Sequence, residues 1–406
     1  MPSARRQDRL LPATREGPAT REDPANVRTR PHGRTRPHAR SRPVSFTRGI
    51  LLLALLALGC GRDGPAAPAS GLQLEVTGRL ERGATVSLRA SAATAVKWSA
   101  EPANAVEFLP GVGVRLLQTG SVTLRAEADG QSGELGIDVA PPPTIVFDML
   151  RDGNRAIYRA ALDGGDLVQL TTLDGENRDP TAAAGTVVFV SYLDGVGQLY
   201  SVPLAGGSVK RLTNSIGEKA SPALSRDGRR LAFTNSVSGV PRLWIAAVDG
   251  SGAARASAGF GHGGAIEAGP NWAPTADRVV FVSTTSGNAD LYLFSTGSTR
   301  VDTLLNAPTP EVEPAWSPDG AWVAFTSARG GQTDLYTISV VTREVRRLTD
   351  RAETDASPAW LPDGRLVYVA WVNNVPRLRW LDPSDPVEVH EIPIGDGTVG
   401  RVSGAW

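Results

Sequence analysis

Glu313-Pro-Ala-Trp-Ser-Pro-Asp-Gly-Ala-Trp-Val-Ala-Phe-Thr-Ser327 contains a short strand pattern, a Pro-Asp-Gly turn and a second apolar run ending in an aromatic residue. The second run recurs. Its aromatic stands at Phe147, Phe189, Phe233, Phe281, Phe325 and Tyr368, at spacings of 42, 44, 48, 44 and 43. Ten residues after the first five of these comes an apolar–aromatic pair: Ile157-Tyr158, Leu199-Tyr200, Leu243-Trp244, Leu291-Tyr292 and Leu335-Tyr336. In the sixth copy the pair becomes Leu378-Arg379. A third landmark follows at Leu170, Leu212, Ala256, Leu304, Leu348 and, one step late, Ile392. Each unit of roughly 44 residues therefore reads as four short strands joined by hairpins. One such sheet cannot bury both its faces, whereas sheets stacked radially can, and this predicts a β-propeller.

The unit beginning at Glu313, with Asp334-Leu-Tyr336 and Arg347-Leu-Thr349 downstream, resembles the repeat of TolB-type propellers. Similar repeats form the non-catalytic propellers of prolyl-oligopeptidase-type enzymes. The resemblance covers residues 144–406 and implies six blades. Copies three and six depart from it, with Arg255-Ala-Ser257 and His390-Glu-Ile392 where the others carry Arg-Leu-Thr-like residues. The Pro-Ala-Trp-like strand appears at Pro180, Pro222, Pro270, Pro314 and Pro358. The first unit lacks it, and Ser403-Gly-Ala-Trp406 matches Ser357-Pro-Ala-Trp360. A C-terminal strand is therefore expected to complete the first blade.

Upstream, residues 71–140 alternate apolar and polar residues in six or seven short runs, the pattern of a small β-sandwich. Lys97-Trp98-Ser99 and Gly120-Ser-Val-Thr-Leu-Arg-Ala126 resemble bacterial immunoglobulin-like domains, with Trp98 as the expected core aromatic. The fold class is thus all-β: a six-bladed propeller behind a small immunoglobulin-like sandwich, with Pro141-Pro-Pro143 as a stiff linker.

Residues 1–45, rich in Arg, Pro and Thr, read as a disordered basic leader. Within residues 46–60, Arg48 precedes a nine-residue apolar run, Ile50–Leu58, too short to span a bilayer. Leu56-Ala-Leu-Gly-Cys60 resembles the lipobox of bacterial lipoproteins, with Ala57 where that family most often has Leu. The resemblance implies lipid attachment at Cys60 and, with no Asp second in the mature chain, the outer membrane facing the periplasm. Residues 61–70 read as a flexible tether.

The chain has 406 residues and a formal net charge of zero, which conceals an asymmetry. Residues 1–59 carry 12 Arg against 4 acids, leaving 30 basic and 38 acidic residues downstream. An acidic body argues against a nucleic-acid partner. A single Cys excludes a disulfide framework, and four His argue against a histidine-rich metal centre. No Gly-x-Ser-x-Gly elbow occurs, nor a full calcium-binding Asp-x-Asp loop. Gly259-Phe-Gly-His-Gly-Gly264 has no helix pattern after it and reads as a mobile loop between two blades; His262 in it is a solvated loop residue.

The remaining constellation lies just before each Pro-Ala-Trp-like strand. There the connections between blades carry Glu176, Asp179, Glu218, Glu267, Glu311, Glu313, Glu353 and Asp355, against Arg178, Lys219, Arg351 and Arg401. If these connections converge on one channel mouth, Asp179, Glu218, Glu267, Glu311, Glu313 and Asp355 form a rim suited to a basic peptide or a cation. The sequence thus points to a monomeric, lipid-anchored envelope protein binding a protein or peptide, without catalysis. It takes no cofactor beyond its N-terminal lipid, although a channel cation is compatible with the rim. The alternative is a propeller enzyme of lyase or lactonase type using acidic channel residues and a bound cation.

Overall fold

The computed structural model describes residues 71–92, 94–275 and 277–406. The leader, the apolar run and Cys60 lie outside the described residues.

Seven strands make two sheets: β1 (Leu74–Thr77), β2 (Thr85–Ala90), β3 (Lys97–Glu101), β4 (Val106–Leu109), β5 (Gly113–Leu116), β6 (Gly120–Ala128) and β7 (Gln131–Val139). Their orders, β1-β2-β5-β4 and β3-β6-β7, are those in which an immunoglobulin constant-type sandwich arranges its strands. Alternate residues such as Val86, Val114, Leu116, Val122, Leu124 and Ile137 meet between the sheets. Trp98 is not among them. It lies on the same face of β3 as Ala100, half-buried at one end of the space between the sheets, in a satellite cluster with Leu72, Leu74, Ala90 and Ala126.

From Thr144 onward, six four-stranded antiparallel sheets follow in chain order. Sheets 2 to 6 are meanders opening with inner strands Asn177–Ala183, Lys219–Leu224, Glu267–Trp272, Glu311–Trp316 and Thr354–Trp360. The aromatic landmarks explain the regularity. Phe147, Phe189, Phe233, Phe281 and Phe325 sit directly across from Tyr158, Tyr200, Trp244, Tyr292 and Tyr336 on the neighbouring strand. Trp272 and Trp360 tie each blade to the one before, donating to the carbonyls of Ala223 and Ala315 at 3.0 and 3.1 Å. In blade 1, Thr398–Gly404 pairs with Thr144–Arg151, setting Val399 opposite Met149 and Val402 opposite Phe147. The chain then continues along blade 2, where the Ala184 amide donates to the Trp406 carbonyl at 2.7 Å.

The connection expected to be loose is pinned. Arg242 donates to the carbonyls of Gly263 and Ala265, and Phe260 packs edge-on against Phe281 and Tyr292. A half-buried aromatic anchor holds what glycine content alone would leave free. His262 itself is exposed.

Sandwich and ring belong to one compact unit. The turn between β1 and β2 lies over the seam between blades 6 and 1. Arg82 reaches Asp163 and Asp166 of blade 1 at 2.8 and 2.6 Å, and Arg79 reaches Asp382 of blade 6 at 3.0 Å. Glu81 grips Arg365 of blade 6 through two hydrogen bonds of 2.5 and 2.8 Å. Arg365 is only 1% exposed and lies over the Trp380 ring. Arg365 belongs to the turn between the first and second strands of its blade, and Asp163, Asp166 and Asp382 to turns between third and fourth strands. In a meander both kinds of turn lie at the end away from the connections between blades. The sandwich therefore occupies one face of the ring, and the connections lie on the other.

Candidate functional site

Each inner strand carries a register shift near its third residue, at 178/181, 220/223, 268/271, 312/315, 356/359 and 399/402. In blades 2 to 6 the residue there, Asp179, Ser221, Gly269, Glu313 or Ser357, has φ between 47° and 55° and precedes a proline. A left-handed residue before proline is unfavourable, and only Gly269 adopts it freely. The proline suits the bulge, since a ladder bond is interrupted there anyway.

These bulges line a central channel. Near the connection face stand Asp179, Ser221, Glu313 and Arg401; deeper lie Thr181, Asn271, Ala315, Ala359 and Ser403. Burial pushes the Glu313 carboxyl up, but the Arg401 charge and hydrogen bonds from the Ser357 amide and hydroxyl and from Thr326 more than offset it. Glu313 therefore stays below the ordinary carboxylate range. The Arg401 amide donates to Asp148 at 2.9 Å, and its guanidinium to Ser221 at 3.4 Å. Burial raises Asp148, although Arg401 and Arg155 partly counter it.

The other end of the channel is shut. Arg226 of blade 3 crosses to blade 5, donating to the carbonyls of Pro318 and Ser317 at 2.8 and 3.0 Å. Its guanidinium lies 3.6 Å from the centre of the Trp406 ring. Desolvation lowers its pKa to about 10, so it remains charged at neutral pH. What is left is a cavity of about 80 Å³. That is far below the several hundred Å³ of usual ligand pockets.

The six rim candidates do not form one site. Asp179 and Glu313 line the channel. Glu218 is exposed on the connection to blade 3, accepting from the Tyr192 hydroxyl at 2.7 Å. Glu267, Glu311 and Asp355 are fully buried at the joints between blades. Glu267 accepts from the Leu243 amide and the Ser257 hydroxyl, and Glu311 from Arg329, Thr309 and Ser327. Desolvation raises Glu311, with Arg329 opposing. Asn177 and Lys219 occupy the same position in blades 2 and 3. The Lys219 ammonium donates to the carbonyls of Ser215, Ile216 and Gly217 at 2.6–2.9 Å. The position is a polar latch on the connection, whatever its charge. Of the counter-charges, Arg401 lies in the channel, Lys219 is buried, and Arg178 and Arg351 are exposed. Among the described residues, no three His, Cys, Asp or Glu side chains gather as metal ligands. Arg226 and Trp406 were not singled out as channel residues by the sequence. Only Trp406's place in the repeat pointed to the ring.

Six radially stacked four-stranded sheets around a polar channel define a β-propeller. The ring is TolB-like: the family model described as the TolB beta propeller domain matches residues 220–379. The TolB crystal structure from Acinetobacter baumannii aligns at TM-score 0.60 and 17% identity, covering 74% of this chain and 81% of that one. The structure of a putative TolB from Agrobacterium tumefaciens aligns at TM-score 0.51 and 19% identity, covering 64% and 97%. A chain of the nidogen/laminin complex aligns at TM-score 0.52 and 12% identity, covering 65% and 98%. At such identities the likeness is one of fold. A search of curated proteins finds no match.

Proposed function

We propose that the chain is a lipid-anchored cell-envelope protein whose propeller docks a protein or peptide at the channel mouth, without catalysis. The observation that carries this reading is the asymmetry of the two faces. One face is occupied by the sandwich and sealed by Arg226 and Trp406. The other is open around Asp179 and Glu313 and exposes Leu193, Val196, Ile216, Val237 and Ile266 on blades 2 and 3 and the connections after them. Apolar side chains beside unsealed acidic groups suit a partner segment with apolar and basic residues. A cavity of about 80 Å³ favours this over an enzyme acting on a lactone or glycan. The immunoglobulin-like sandwich then serves as the support that holds the ring by its far face.

The test is capture of envelope proteins by the soluble body, residues 61–406. Asp179→Lys and Ile216→Asp each change an accessible side chain on the mouth face; Ile216 is 82% exposed. Each should weaken capture at least tenfold, whereas Val112→Asp on the sandwich should leave it intact. Capture indifferent to both mouth variants contradicts the reading.

Anchoring has its own test. Cys60→Ala should release the protein from the membrane fraction and abolish labelling with a palmitate analogue. Unchanged partition of that variant rules out the lipid anchor.

A further inference from the structure

Blade 6 breaks a rule that the other five keep. The cross-strand pair that is Phe–Tyr or Phe–Trp elsewhere is here Tyr368 opposite Arg379. Tyr368 is fully buried; the Arg379 guanidinium adjoins its hydroxyl, but in a geometry that closes no hydrogen bond. Close enough to influence it electrostatically is Asp355, 0% exposed, with neither carboxylate oxygen hydrogen-bonded. The same latch position in blades 2 to 5 makes at least two hydrogen bonds through Asn177, Lys219, Glu267 or Glu311. The Thr349 hydroxyl adjoins Asp355 and accepts from the Leu335 amide, but its geometry closes no bond to the carboxylate.

Three buried polar atoms without partners are costly, and folded proteins commonly avoid that cost by holding an internal water. We propose that Asp355 and the Tyr368 hydroxyl bind such a water at the joint between blades 5 and 6, and that proton uptake by Asp355 at this site tightens the joint. The inference is independent of the partner reading.

The surrounding charges come from every element packed there. Arg379 lies on the third strand and pairs with Glu353 at 3.7 Å. Glu353 and Arg351 lie on the connection, and Asp334, held by Arg347 at 2.5 Å, lies on blade 5. Burial dominates, pushing Asp355 up to about 6; the nearby Thr349 hydroxyl and the Arg379 charge oppose it only weakly, and Asp334 and Glu353 add to it. A carboxyl raised on folding favours the folded state most when protonated. That contribution is complete below the unfolded value near 4, is lost as pH rises to about 6, and stays lost above.

The experiment compares thermal unfolding of the full chain from pH 4 to 8 with that of Asp355→Asn and Tyr368→Phe. Asparagine keeps the neutral state. Its melting temperature should therefore gain on wild type by about 3 °C or more between pH 4 and 6.5, then run parallel. Tyr368→Phe restores the residue of the other blades and should move the titration away from the wild-type midpoint. A crystal structure of the full chain should show one water bridging Asp355 and Tyr368, lost in Tyr368→Phe. Parallel profiles for wild type and Asp355→Asn overturn the proposal. So does wild-type density in which Asp355 bonds directly to Thr349 or Arg379 with no water.

Discussion

Deleting Arg401–Trp406 should destabilise the ring by about 5 kcal/mol or more. The cut removes the amide of Arg401 from Asp148 and that of Ala405 from the Thr144 carbonyl, and it breaks both bonds joining Trp406 to Ala182 and Ala184. Buried Val402, which packs with Phe147 and Leu361, goes as well. Blade 1 is left with an incomplete edge beside an apolar core. The loss of Trp406 also uncovers Arg226 at the channel floor. Urea unfolding of the truncated and intact chains measures the effect. A difference under 1 kcal/mol would mean that these residues behave as an ordinary frayed end.

Glu81→Ala should cost about 3–5 kcal/mol, the range for breaking a buried ion pair from one side. Arg365 loses its bidentate partner and keeps Asp363 alone at 2.6 Å, with its guanidinium still out of reach of solvent. Arg79→Ala, by contrast, touches a pair nearly half exposed and should change stability by about 1 kcal/mol at most. Replacing both partners, Glu81→Leu with Arg365→Met, should recover much of the loss, because the buried guanidinium is gone and Asp363, partly exposed, keeps Arg79 at 3.5 Å. Equal losses in the single and double replacements would show that packing, rather than charge, holds the sandwich to the seam.

The propeller was legible because its landmarks are physical partners. Phe325 and Tyr336 face each other across two strands, and the same geometry fixes the spacing in every copy. The candidate site was only partly legible, for an equally local reason. Glu311 and Glu313 are two residues apart and would share one face of a regular strand. The shift between Val312 and Ala315 separates them, sending Glu311 into the joint and Glu313 into the channel. Nothing in the sequence announces a left-handed residue before a proline, since that combination is normally avoided. Arg226 was invisible for another reason: its partners are carbonyls about 90 residues away, which no pattern of side chains encodes. Alternation puts Trp98 on the inward face of β3 beside Ala100, but it does not say that this residue sits at the end of the sandwich, where the cover is incomplete.

The closing strand also dictates an order of assembly. Arg401 and Asp148, hydrogen-bonded across blade 1, are 253 residues apart in the chain. Bringing them together costs about 2 kcal/mol more in chain entropy than a contact a tenth as distant. Blades 2 to 6 are meanders of neighbouring strands and can form as soon as each has been synthesised. Blade 1, begun first, stays one strand short until Thr398–Gly404 exists, and its inner edge around Phe147 and Met149 remains open throughout. The sandwich is synthesised earlier still, and its Arg82 can already hold the Asp163 turn of that unfinished blade. A ring built this way is a spiral until its last step.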